Sequence, residues 1–150
     1  MSSEEQRAWI YAVVGLVVPA VYLTTVLSKV PGTDVATISY VRPMLIATAV
    51  AIGASIVLSI LTAIFAGILT GITSGMAATK DLGRTDERDR AINRRGEYAG
   101  FYVMSIASLV PLGLALAEAE HFWIANSLYL AFVLAALTSA VVRIVAYRRG

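Results

Sequence analysis

The chain contains no cysteine, a single histidine, and only 15% charged residues among its 150. Without cysteine there is no disulfide, no thiolate-held zinc or iron–sulfur cluster, and no thiol nucleophile. One histidine, His121, rules out a histidine-built metal centre within a single chain. A soluble domain of this size carries about 25% charged residues. The shortage is matched by 58% hydrophobic residues and a mean hydropathy of +0.75. One small core cannot hide that much apolar surface, so the composition points to lipid as the solvent. The length suits one domain, residues 1–150. The net charge of +2 is read as charge distributed about a membrane, and no nucleic-acid partner is expected. Ten of the twelve basic residues are arginine, as a GC-rich prokaryotic genome would favour.

A membrane crossing needs roughly 20 mostly apolar residues. Four stretches free of Asp, Glu, Lys, Arg and His satisfy this: residues 8–27, 44–78, 98–117 and 123–142. Backbone polar groups in hydrocarbon need internal partners, so each stretch is expected to be helical. The fold class is therefore all-α, an integral membrane four-helix bundle. The first stretch does not read as a signal peptide. Its leader, residues 2–7, is not positively charged, its apolar run is too long, and no small-x-small cleavage site follows.

Basic residues in short loops set orientation. Arg7, the six basic residues of the loop 79–97, and Arg143, Arg148 and Arg149 fall on one side, leaving Lys29 and Arg42 on the other. Both termini are accordingly expected in the cytoplasm, with the prokaryotic plasma membrane as the location. Trp9, Tyr11, Tyr98, Phe101, Tyr102 and Tyr147 would line the inner interface, and Tyr40, Phe122 and Trp123 the outer one.

The second stretch, 35 residues, would make a helix of about 50 Å against a hydrocarbon core of about 30 Å. It must tilt, break or extend, and extension into the cytoplasm is preferred because residues 70–75 are more polar. Pro19 and Pro111 each fall inside a span and are expected to kink it. A faint repeat at an offset of 92 pairs Glu5 with Glu97, Trp9 with Phe101 and Pro19 with Pro111, and is no stronger than coincidence.

Two patterns are candidates for function. On the second helix, Ala47, Ala51, Ser55, Ser59, Ala63, Gly67, Gly71 and Gly75 recur every four residues, on one helix face. Small residues let helices approach closely in lipid. The ridge is read either as packing within the chain, slightly preferred, or as a homodimer or partner seam. The second pattern is the charged segment ending at Glu97. Thr85 suits an N-cap, and Asp86 and Glu87 suit the start of a helix that continues into the third span. Arg88, Arg94 and Arg95 suit anionic lipid headgroups. Asp86, Glu87 and Asp89 suit a divalent cation, least well because Arg88 and Arg90 adjoin them. The whole surface suits a cytoplasmic protein, while a solvated loop that fixes topology is the plainest alternative. His121, between Glu120 and Phe122 in a short loop, reads as part of a polar turn rather than a proton sensor.

The run Asp86-Glu87-Arg88-Asp89-x-x-Ile92-x-x-Arg95-Gly96, before an aromatic-led third span, resembles a motif of small uncharacterised four-helix membrane proteins of bacteria and archaea. The resemblance covers this loop and the start of the third helix. It implies the same topology and, for some members, genes neighbouring helix-turn-helix regulators. It implies no activity.

No ionisable residue lies within the four stretches, whereas proton and ion paths usually carry one. The expectation is a non-enzymatic membrane protein without cofactor or metal, regulatory or scaffolding. It would assemble through the ridge and act through residues 86–97. The alternative is an oligomeric channel or transporter for a small solute, using hydroxyls such as Thr48, Ser55, Ser59 and Thr62.

Overall fold

The computed structural model describes residues 3–74 and 87–149, with side chains 3, 4, 66 and 69–74 left out. Every regular element among the described residues is helical. The elements are α1 (Ser3–Leu27), a single 3₁₀ turn (Val35–Thr37), α2 (Val41–Ser74), α3 (Glu87–Ala107), α4 (Leu109–Leu116) and α5 (His121–Arg148). Together α1, α2, α3 with α4, and α5 supply four segments long and apolar enough to cross a membrane. They make the chain a multi-pass membrane protein by length and composition. Away from its contact with α1, α2 exposes large aliphatic side chains, among them Leu45, Val50, Ile56, Leu61, Ile64 and Ile68. A helix apolar all round is stable only when a nonpolar medium surrounds it.

The helices pack in the order α2–α1–α5–α3. α5 is the organising helix: it lies against α1 on one side and α3 and α4 on the other, while α2 is held chiefly by α1. At one end the core gathers Tyr22, Val26, Ile38, Ala47 and Phe122. There the 3₁₀ turn reaches α5, and Asp34 starts it by accepting the Ala36 N–H at 3.1 Å. Tyr40 meets the edge of Phe122 at 5.4 Å. At the other end Arg148 stands 5.2 Å over the Trp9 ring, so the beginning of α1 and the end of α5 share one end of the bundle.

The two prolines behave differently. α1 runs uninterrupted through Pro19. The third span is divided at Ser108, between α3 and α4. Pro111 has no N–H for the Ala107 carbonyl, and its ring crowds that carbonyl. Hydrogen bonding resumes on either side, with Ser108 N–H donating to Met104 O at 2.9 Å and Leu112 N–H to Ser108 O at 3.2 Å. The long second stretch does not break: α2 remains one helix to Ser74.

α4 closes on a left-handed residue. Glu118 has φ of 53°. Ala119 N–H donates to Leu114 O at 2.9 Å and Glu118 N–H to Ala115 O at 3.1 Å, the pattern of a Schellman cap, where glycine usually stands at this position.

Candidate functional site

From Glu87 on, the charged segment and the α3–α5 seam form one unit. α3 starts at Glu87 and continues without interruption through the aromatic residues Tyr98, Phe101 and Tyr102. Three positions four apart, Ile92, Gly96 and Gly100, are its buried residues. A Cβ placed on Gly96 would stand 2.6 Å from Arg143 Cγ and 2.9 Å from Ser139 O. One on Gly100 would stand 3.0 Å from Ala135 O and 3.2 Å from Ser139 Cβ. The Gly-x-x-x-Gly of α3 thus lies against Ala135, Ser139 and Arg143 of α5, and the absence of side chains is what permits the approach. Ile92, Gly96 and the arginine before it belong to the D-E-R-D-x-x-I-x-x-R-G run, so its apolar half is a packing surface.

Its charged half points elsewhere. Arg88, Arg90, Arg94 and Arg95 are exposed, Glu87 is exposed, and Asp89 is half-buried. Arg94 lies 5.6 Å over the Tyr98 ring, one turn along. Asp86 lies outside the described residues. Among the described residues no group of three His, Asp or Glu side chains can hold a metal ion.

Arg143 sits behind this seam. It lies five residues before the end of α5, and its side chain is 21% exposed. One terminal nitrogen is 3.8 Å from Glu97 Oε1, whose side chain is 71% exposed. The Arg143 Nε is buried and has no hydrogen-bond partner among the described residues. The arginine also forms part of the wall of an open cleft of about 530 Å³ between α1, α2 and α5.

The small-residue ridge of α2 has three environments. Ala47 is buried in the core beside Tyr22 and Val26. Ala51 and Ser55 border the cleft. Ser59 Oγ is buried without a hydrogen-bond partner. Farther along, Ala63 is exposed, and among the described residues nothing lies within 4 Å of a Cβ placed on Gly67. Gly71 is helical, and Gly75 lies outside the described residues. Two α2 hydroxyls are engaged with their own helix, Thr48 with Met44 O at 2.9 Å and Thr62 with Ser59 O at 2.9 Å.

Sequence reasoning missed two groups. The first is the Gly96–Gly100 seam, legible as two glycines four apart but overshadowed by the longer ridge of α2. The second is a buried polar pair. The Tyr22 hydroxyl donates to Asn126 Oδ1 at 2.8 Å, and Asn126 Nδ2 donates to Phe122 O at 2.8 Å. Asn126 is 3% exposed, and the Tyr129 ring meets Tyr22 edge-on at 4.9 Å. His121 is exposed at the first position of α5.

The sequence matches no family model, and no curated protein or solved structure matches it.

Proposed function

We propose that this chain is a non-enzymatic regulatory or scaffolding protein of the prokaryotic plasma membrane, with both termini in the cytoplasm, that works by docking a cytoplasmic partner. The supporting observation is the division of labour on the first turns of α3. Ile92 and Gly96 are fastened to α5, while Arg88, Arg90, Arg94 and Arg95 stand exposed beside them. A charged surface carried on a packed helix is held in one orientation, which suits recognition. The excess of arginine at this end supports a cytoplasmic placement.

Assembly with a second copy is part of the proposal. Among the described residues nothing comes within 4 Å of a Cβ on Gly67, which supports a close approach by another helix at the inner part of the ridge.

The experiment is affinity capture in mild detergent with wild type and with the combined Arg88→Ala, Asp89→Ala and Arg95→Ala variant. The wild type is expected to retain a partner that the variant releases. An identical set of captured proteins sinks the docking role.

A further inference from the structure

We propose that the cleft between α1, α2 and α5 is a binding site for an anionic phospholipid, with an acyl chain in the cleft and the phosphate on Arg143. The cleft has a volume of about 530 Å³, within the range that holds small ligands. Its walls are mostly apolar: Val14 and Gly15 from α1, Ala51 and Ile52 from α2, Ala140 from α5. It is open along its length rather than enclosed, so in a bilayer it fills with hydrocarbon, not water.

Charge selects which lipid. Arg143 is the charged residue on the cleft wall. Its Nε is buried beside Gly96, so the terminal nitrogens are the donors it can offer a ligand. A guanidinium offers five N–H donors in a planar fork, and Glu97 occupies only one edge, at 3.8 Å and largely in the open. Phosphate oxygens at the cleft mouth would take the terminal N–H groups that Glu97 leaves open, in the bidentate geometry that arginine favours. The aliphatic stem of Arg143 lies close over Gly96, which has no side chain to displace it. Arg143 lies near the Arg148 end of α5, and Tyr11 on the facing wall of the cleft is two residues from Trp9. Headgroup depth and acyl depth therefore fall in the right order.

This inference does not depend on partner docking at the exposed arginines of α3, and the two fail separately. The test is native mass spectrometry of the delipidated full chain in detergent, titrated with phosphatidylglycerol and with phosphatidylcholine of identical acyl chains. Wild type is expected to bind the anionic lipid at least about tenfold more tightly, and Arg143→Gln to erase that preference. Ala51→Phe fills the cleft from α2 without touching the arginine, and is expected to lower binding of both lipids. The paired change Arg94→Gln and Arg95→Gln is expected to leave the preference intact. Equal binding of the two lipids by wild type overturns the proposal. So does a preference that survives Arg143→Gln, or one that disappears with Arg94→Gln and Arg95→Gln. Should Arg143→Gln fail to fold, unchanged lipid binding by Ala51→Phe overturns it alone.

Discussion

The hydroxyl of Tyr22 on α1 donates a 2.8 Å hydrogen bond to Asn126 on α5, joining residues 104 positions apart. Both side chains are buried, and the Asn126 amide is spent on the Phe122 carbonyl of its own helix. The pair therefore has one cross-helix bond, with no solvent to replace it. Tyr22→Phe leaves Asn126 Oδ1 without a donor and is expected to cost about 1 kcal/mol, the scale of polar helix contacts in membranes. Thermal unfolding in detergent measures it. The double variant Tyr22→Phe with Asn126→Leu should recover part of the loss, since no orphaned acceptor remains. If the double variant is simply the sum of two losses, the bond is not the cause.

The seam of α3 on α5 predicts an asymmetry between glycines. Gly96→Ala drives a Cβ into Arg143 Cγ and the Ser139 carbonyl, neither of which is the free end of a flexible chain. Overpacking of this kind costs about 1–3 kcal/mol. Gly67→Ala meets none of the described residues and gains helix propensity, so the protein should be unchanged or more stable by up to about 1 kcal/mol. Comparing the two melting temperatures in one detergent decides the matter; equal shifts would contradict the geometry.

Gly67 also tests assembly. Gly67→Leu would hold another helix away, while its first side-chain carbon meets none of the described residues. Wild type is expected to run as a dimer in nanodiscs by light scattering, and Gly67→Leu as a monomer with an unchanged circular dichroism spectrum. A wild-type monomer would confine the ridge to its contacts with α1.

The cap of α4 is strained in a correctable way. Glu118 occupies the left-handed region at φ 53°, which costs a residue with a side chain roughly 1–2 kcal/mol. Glu118→Gly removes that strain but frees the unfolded chain. The net expectation is a stabilisation of about 0.5–1 kcal/mol, measured by thermal unfolding. A loss of stability would show that the carboxylate has a role beyond the turn.

The Arg143–Glu97 pair should contribute little. At 3.8 Å, with Glu97 71% exposed, it resembles other surface ion pairs, so Glu97→Gln should shift stability by less than about 0.5 kcal/mol. A much larger loss would mean that Glu97 holds Arg143 in position.

Long-range order was the part of this protein least visible in its primary structure. Uncharged runs announced the four crossings, because hydropathy is a local property that lipid enforces. Pro111 announced the interruption at Ser108, since the missing donor acts on the carbonyl four residues earlier. Pro19 gave the same local signal without an interruption. The small residues of α2 formed the most regular pattern, yet the tightest backbone approach shown by a glycine belongs to Gly96 and Gly100. Spacing says which residues share a face; it does not say which helix comes to meet them. The partner surface of Ala135, Ser139 and Arg143 has no glycine and no repeat that marks it. Tyr22 and Asn126 were equally silent, because a bond over 104 positions leaves no periodic trace. Among the exposed charges the reverse holds: Arg88, Arg90, Arg94 and Arg95 were conspicuous from the start, and burial of Ile92 and Gly96 beside them explains why that run mixes two chemistries.

The helix order α2–α1–α5–α3 has a consequence for biogenesis. Neighbours in the row are not all neighbours along the chain: α1 has to wait for α5. While a ribosome is still making the intervening segments, the early hairpin and the third crossing are in the bilayer without the helix that each packs against most, α5. Tyr22 then faces lipid with its hydroxyl unsatisfied, and the glycine face of α3 has nothing to rest on. Arrival of α5 joins the two halves in one event. A nascent chain stalled before that point displays polar groups at membrane depth, the kind of signal by which quality-control proteases recognise an unfinished product.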